Sequence, residues 1–289
     1  MNRVTAVVVS WCNEHDTAAC LDSLERQDYP ALSILLVDSG SPDGSGPRLH
    51  ARYPKIPFLQ LAANPGCAGG NNAGMKQALE SGADYALVVN SGTVLERGCV
   101  RELVYVAHAH PDAGAISPKI LCYDSPNRIW FGGGSFDRMR ASGRYEREHF
   151  VDLDPAERQV LEATFLPACA LLIPAETLRT VGYFRDDFFS QVEDAEYGLR
   201  IMAAGRRLLY APAARVRHRA PPRGALPSAA RIRLRERNRR RVVRLHYRGL
   251  DAARFAAWFY PTRVLLMAGY AMRGELIRAR AVWRGMVEK

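Results

Sequence analysis

Two adjacent carboxylates, Glu193-Asp194, stand out in a chain of 289 residues whose formal charge is +10. They lie within Ser190-Gln191-Val192-Glu193-Asp194-Ala195-Glu196-Tyr197-Gly198-Leu199-Arg200. Apolar residues at Val192, Ala195, Leu199 and Met202 recur at the helical period. The pattern predicts a helix that starts at the pair and stops near Gly205. Carboxylates in a first turn face the positive end of the helix dipole, which favours their ionised form. An ionised carboxylate beside a reacting hydroxyl is a general base. Ser190-x-x-Glu193 also has the form of a capping box, in which Glu193 bonds back to the backbone of Ser190. That gives Glu193 a structural role and leaves Asp194 as the carboxylate that capping does not explain.

The elements around the pair alternate. Apolar runs over 4–9, 32–37, 58–62 and 85–89 read as strands, and 17–27 and the stretch through Leu79 as helices. Alternation of this kind predicts an α/β fold with a mostly parallel sheet. The polar segments Ser10-Trp11-Cys12-Asn13, Asp38-Ser39-Gly40-Ser41 and Asn90-Ser91-Gly92 fall at the carboxyl ends of the strands, where such sheets bind ligands. Asp38 either accepts hydrogen bonds from a base or ribose or initiates an Asx turn. Asn72-Ala73-Gly74, after Gly69-Gly70, either lets backbone approach a ligand or caps a helix through Asn72. Neither G-x-G-x-x-G nor a Walker A sequence is present.

The stretch 122–161 is polar and reads as excursions and short strands over one face. Apolar character returns at 165–173, and a short helix follows Pro174. Leu208-Leu209-Tyr210 and Val216-Arg217-His218 read as two short strands. Pro221-Pro222-Arg223-Gly224 reads as a linker, and the remainder as helical and basic. A hydrophobic fraction of 48% supplies a full core, and the positive excess points to an anionic partner. Six cysteines without a C-x-x-C pair argue against a zinc site and fit reduced thiols. Met1 to Thr5 runs into a strand with no apolar leader, which predicts a cytoplasmic location. The apolar stretch 255–272 is interrupted by Pro261 and Arg263 and is too short for a membrane span. The arginine run from Arg231 to Arg241 suits nucleic acid, anionic lipid, or a solvated face packed along the main domain. No nucleic-acid motif accompanies it, and the neighbouring apolar stretch favours lipid over nucleic acid.

Several segments carry a resemblance when taken in order. Val7-Val8-Val9-Ser10-Trp11-Cys12-Asn13, Val37-Asp38-Ser39-Gly40-Ser41-Pro42-Asp43-Gly44-Ser45, and Asn64-Pro65-Gly66 with Gly69-Gly70-Asn71-Asn72-Ala73-Gly74 resemble family-2 glycosyltransferases of the rhamnosyltransferase-like group. Gly182-Tyr183-Phe184, Glu193-Asp194, Leu199-Arg200, Tyr210-Ala211-Pro212 and His218 are similar to that group's acceptor half, and Arg237-Asn238-Arg239 to its following helix. The resemblance implies a GT-A fold over 1–220, with a donor half over about 1–120, an acceptor half over about 121–220, and a basic helical extension over 221–289. It implies inverting transfer from a nucleotide-sugar donor to a hydroxyl acceptor: a glycan, a lipid-linked sugar or a small molecule. By position, Asp194 is the base and Glu193 its support. Ser10, Trp11, Asn13, Asp38, Asp43, Asn72, Gly74, Asn90, Ser91 and Gly92 fall on the donor side, with Asp38 at the nucleobase.

One departure matters chemically. Members of the group usually carry Asn-x-Asp-Thr where this chain has Asn90-Ser91-Gly92-Thr93, so Gly92 replaces the aspartate that binds a divalent cation. A hard cation such as Mg²⁺ is usually held by carboxylates together with substrate phosphates. A requirement for Mg²⁺ or Mn²⁺ is therefore left open, with His218 a weak candidate ligand. Smaller departures are Glu196, Gln191 and Arg185. Three consequences follow: metal-free transfer with Arg217, Arg219 and Arg223 neutralising the diphosphate, weak metal binding through Asn90, or a non-catalytic relative that binds nucleotide sugar or acts as a scaffold. A transferase peripheral to the inner face of a membrane, using a polyprenyl-linked acceptor, is a further alternative.

Overall fold

The structure, a computed structural model, describes residues 1–219 and 226–288. The first half alternates: β1 (Val4–Ser10), α1 (Glu14–Glu25), β2 (Leu32–Asp38), α2 (Ser45–Arg52), β3 (Phe58–Gln60), α3 (Gly66–Glu80) and β4 (Tyr85–Asn90). β1 runs parallel to β2 and β4, and β2 parallel to β3. Val4, Ala6, Val7 and Val8 are wholly buried, as expected where helices cover both faces of a parallel sheet.

Next come β5 (Thr93–Leu95), α4 (Cys99–Ala109), β6 (Ala113–Cys122), β7 (Ser125–Phe131), β8 (Gly134–Asp137), β9 (Ser142–Tyr145), β10 (Leu161–Ala163), β11 (Ala170–Pro174), α5 (Ala175–Thr180), α6 (Glu193–Ala203) and β12 (Arg207–His218). The sheet order is β10-β12-β6-β11-β4-β1-β2-β3, with β5 on β12 and β7 on β6. β12 and β6 are parallel, while β11 lies antiparallel between β6 and β4. The two short strands expected at 208–210 and 216–218 are one strand, β12. Its register shifts between Ala211 and Arg215, where Pro212 has no N–H for the ladder.

The polar stretch after Cys122 forms the short strands β7 to β10, and a buried ion cluster ties it down. Lys119 Nζ lies 2.8 Å from Asp152 and 3.2 Å from Glu157, with its side chain fully buried. Removing one partner of such a group costs about 3–5 kcal/mol.

Three helices close the described chain: α7 (Ala229–His246), α8 (Gly249–Met272) and α9 (Leu276–Val287). Ile232, Val242, Tyr247, Phe255 and Phe259 form a second core, which also takes in Ala141 and Phe188 from the sheet portion. The linker Pro221-Pro222-Arg223-Gly224 lies outside the described residues.

Candidate active site

The parallel register puts the polar strand ends on neighbouring rungs, with Ser10 opposite Asp38 and Val9 opposite Asn90. The loops beyond them are laced together. Asn13 Nδ2 donates to Ser91 Oγ at 3.4 Å, and the Cys12 N–H to Ser41 Oγ at 3.0 Å. Trp11 stands exposed at the lip. The arrangement is a crevice at the carboxyl ends of β1, β2 and β4.

Within it, several of the residues expected on the donor side are engaged by protein partners. Asp38 is fully buried and accepts from the Ser41 N–H at 3.1 Å, Ser41 Oγ at 2.5 Å and the Gln60 amide at 3.4 Å. The bonds to Ser41 form an Asx-type turn. Asp43 Oδ1 accepts from the N–H and Oγ of Ser45, at 3.0 and 2.7 Å. Those bonds hold its carboxyl below the usual range. Ser10 Oγ is buried against Thr17 Oγ1 at 2.9 Å. Asn72 is not a helix cap, because it lies inside α3. Its amide donates to Phe184 O and Asp186 Oδ1, both at 2.7 Å, and its Oδ1 accepts from the Phe184 N–H at 3.0 Å. It thereby fastens the donor half to the segment leading into the acidic pair. A Cβ at Gly74 would lie 2.2 Å from Val7 Cγ1, so this glycine allows α3 to pack on β1 rather than on a ligand.

The acidic pair opens α6, but not through a capping box. The N-cap is Val192, with no side-chain cap bond, and Glu193 is the first helical residue rather than the third. The geometry fails because Phe189, Gln191 and Val192 have φ of 62°, 73° and 72°. Such left-handed backbone is costly for non-glycine residues. A clamp from α7 holds it. Asn238 Nδ2 donates to Phe188 O, Ser190 O and Gln191 O at 2.9, 2.9 and 2.7 Å. Arg237 adds bonds to Asp187 O and Phe188 O, both at 3.1 Å, and Arg241 bonds Asp187 O.

Glu193 is buried, pairs with the Cys67 thiol, and leaves its Oε2 without a partner among the described residues. Asp194 is partly exposed. Its Oδ1 accepts from the Ala195 N–H at 2.8 Å and its Oδ2 from the Ala168 N–H at 3.4 Å. Burial raises the Asp194 carboxyl above its usual range, and those N–H groups offset part of the rise. Glu193 is raised further, first by burial and then by the charge of Asp194. The dipole therefore does not decide ionisation here; desolvation does. Both carboxyls are thus raised together, Glu193 further than Asp194. Tyr145 lies within electrostatic reach of the pair and stacks edge-on to Trp130 at 4.9 Å, and Trp130 meets His218 at 5.0 Å. These rings run from the neighbourhood of the acidic pair to the corner at Gly92.

At that corner the Gly92 carbonyl accepts from the Arg219 N–H at 2.8 Å. A Cβ on Gly92 would meet Arg219 Cβ at 3.6 Å and His218 Cε1 at 3.9 Å, ordinary contacts that leave room for a side chain. His218 Nδ1 lies 3.1 Å from Thr93 Oγ1, and burial pushes the ring down to about 4, so it is neutral at pH 7. Among the described residues no group of three His, Cys, Asp or Glu suits a metal ion. The side chains present do not fit a tightly held divalent cation, which wants several oxygen ligands. Glu96 is engaged by Arg215 and Arg217, and Arg219 by Asp16 at 3.0 Å. Arg223 lies outside the described residues.

The arginine run is not an open basic patch. Arg239 and Arg263 bond buried Glu236, at 3.1 and 3.0 Å, and Arg240 donates to Glu288 O at 2.8 Å. Asn238, Cys67 and Tyr145 are the neighbours that sequence patterns did not assign. In the sequence, Arg237-Asn238-Arg239 carries only the likeness to the helix that follows the acceptor half.

A family model described as "Glycosyltransferase like family 2" matches residues 2–241. The chain is 29% identical over 220 residues to the N-acetylglucosaminyl-diphospho-decaprenol L-rhamnosyltransferase of Mycobacterium tuberculosis, covering 68% of this chain and 70% of that one. Its structure resembles that of GalNAc-T7 with UDP, GalNAc and Mn²⁺, with a TM-score of 0.70 at 16% identity. That match covers 100% of this chain and 56% of the other, so the chain spans little more than half of that protein. The mannosyltransferase PcManGT from Pyrobaculum calidifontis, in complex with GDP-Man and Mn²⁺, matches with a TM-score of 0.58 at 16% identity, covering 99% of this chain and 86% of that one. Identities this low bear on the fold alone, and the fold is GT-A.

Proposed function

Since the chain belongs to glycosyltransferase family 2, we propose that it is an inverting hexosyl transferase, moving a sugar from a nucleotide-sugar donor to an acceptor hydroxyl with Asp194 as base. In this reading the acceptor oxygen bonds to the anomeric carbon as the bond to the nucleoside diphosphate breaks. The hydroxyl proton passes to Asp194, and the diphosphate leaves with the bonding electrons. The observation that carries the proposal is the Asp194 carboxylate. It is aimed by the Ala195 and Ala168 N–H groups. Burial raises its neighbour Glu193 the further of the two, so Asp194 is the carboxylate that ionises first and can accept a proton.

The donor lies along Trp11, Asn13, Asn90, Ser91 and Gly92, with the leaving diphosphate beside Gly92. Its charge is met by Arg219 and backbone N–H groups rather than by a side-chain-held cation. Asp38 and Asp43 shape the donor loop through their bonds to Ser41 and Ser45. The Mycobacterium tuberculosis relative is a rhamnosyltransferase of a decaprenol-linked sugar, which supports a lipid-linked acceptor here, and with it a cytoplasmic enzyme peripheral to the membrane. Transfer measured over a panel of nucleotide sugars, with and without EDTA, tests the reading. Turnover that survives EDTA and is lost in Asp194→Asn supports it. Nucleotide binding without any turnover marks a non-catalytic relative instead.

A further inference from the structure

Arg237, Arg239, Arg240 and Arg241 of α7 are engaged within the fold, whereas unpaired charge and exposed apolar surface meet at the far end of α8. Val264, Leu265, Ala268 and Met272 follow one another at helical-turn spacing, and all are exposed, Leu265 by 71% and Met272 by 84%. The turn into α9 adds Leu276 and Ile277, the latter 74% exposed. Arg273 and Arg280 lie beside them, exposed and without an acidic partner among the described residues. Nearer the root of α8, Arg254 and Ala257 border an apolar cleft of about 680 Å³ against Met139 and Trp258. A contiguous apolar surface of this kind marks an interaction site rather than ordinary exposure.

We propose that the α8–α9 tip docks into the interfacial layer of an anionic bilayer. Charge selects this occupant. A second copy seated by two-fold symmetry would set the same patch, with Arg273 and Arg280, against its own image, in a protein of formal charge +10. Anionic headgroups supply the missing counter-charge, and their acyl chains receive Leu265, Met272 and Ile277. Among the described residues no helix is long and apolar enough to cross a membrane. The tip therefore lies in the interface and does not span it. The proposal deepens the membrane-surface part of the reading above, and its test does not depend on turnover.

The full chain is sedimented with phosphatidylglycerol-containing vesicles and with pure phosphatidylcholine vesicles. Wild type should pellet with the anionic vesicles and stay in solution with the neutral ones. Leu276→Glu with Ile277→Glu should weaken binding by more than about tenfold, since burial of either side chain is worth that much. Arg273→Glu with Arg280→Glu should weaken it too. Both variants should melt at the wild-type temperature, because all four positions are exposed. Wild type that stays in solution with anionic vesicles overturns the proposal, as does undiminished binding by the double variant Leu276→Glu, Ile277→Glu. A wild-type dimer that the same variant dissolves also overturns it, by assigning the face to a second copy.

Discussion

The side-chain nitrogen of Asn238 donates to the carbonyl oxygen of Gln191 at 2.7 Å, from a helix 47 residues further along the chain. The same amide reaches Phe188 O and Ser190 O, both at 2.9 Å. One buried side chain therefore holds the loop that aims Glu193 and Asp194. Its left-handed residues Phe189, Gln191 and Val192 each cost on the order of 1–3 kcal/mol and persist only because neighbours fix them.

Asn238→Ala should uncouple folding from function at this loop. It leaves buried carbonyls unpaired at about 1–3 kcal/mol each and releases the start of α6. Misplacing the base should lower kcat by about ten- to a hundredfold. Nucleotide affinity should hold, because the carbonyls that Asn238 binds belong to Phe188, Ser190 and Gln191 and not to the donor-side residues Trp11, Asn13, Asn90, Ser91 and Gly92. Asn238→Asp should not rescue, since a carboxylate cannot donate to three carbonyls. Steady-state kinetics beside nucleotide titration decide it: an unchanged kcat removes Asn238 as a positioning residue.

Asp194 sets the acid limb of the pH profile. Its carboxyl is pushed up to about 6 by burial. A base must be deprotonated, so kcat should climb with pH through that value and then level off. Asp194→Asn should cost about 10²–10⁴ in kcat, with donor binding intact. A profile flat down to pH 5, or activity retained in the variant, excludes Asp194 as the base.

Glu193 should make the fold less stable as pH rises. Burial and the charge of Asp194 push its carboxyl up to about 8. A raised carboxyl value means that the native state binds more protons than the unfolded chain between the two values. The stability is present in full below the ordinary glutamate range and is lost as pH climbs through the folded value. Glu193→Gln removes that loss. Its melting temperature relative to wild type should increase from pH 5 to pH 9, by several degrees on the order expected for a protein of this size. A difference constant with pH would mean that Glu193 titrates normally.

Much of this was legible in the residues, and the failures have physical causes. The runs at 4–9, 32–37 and 85–89 announced β1, β2 and β4 because strands buried on both faces need unbroken apolar sequence. Helix α4 is equally readable from Val100, Leu103, Val104 and Ala107, which recur at the helical period and are all buried. The capping box misled because Ser190-x-x-Glu193 is a local pattern, whereas the loop is held by Asn238 from a distance. Neither Gln191 nor Val192 advertises left-handed backbone as glycine would. Of the expected face, Ala195 is buried and Val192, Leu199 and Met202 pack partly buried against the two cores, but α6 also buries Glu193, Glu196, Tyr197 and Ile201. Glu196 tolerates this because Arg200 and His246 pair with it, at 3.0 and 3.1 Å. The arginine run looked like a surface patch because composition cannot tell a solvated guanidinium from one bonded to buried carbonyls.

Gly92 offers the sharpest chemical test. Its backbone does not require glycine: a Cβ would find its nearest neighbours at 3.6, 3.7 and 3.9 Å. Gly92→Asp should therefore fold as wild type does and place a carboxylate beside neutral His218. Two such ligands, with donor phosphates, approach what Mg²⁺ or Mn²⁺ ordinarily requires. Wild-type transfer should be insensitive to EDTA. The variant should bind Mn²⁺ by calorimetry in the presence of nucleoside diphosphate, where wild type does not. The new carboxylate also adds negative charge near the leaving diphosphate, so without metal the variant should be slower than wild type, and Mn²⁺ should restore it. Wild-type activity abolished by EDTA would show that a cation is held without a side-chain carboxylate at position 92, and would end the metal-independent reading.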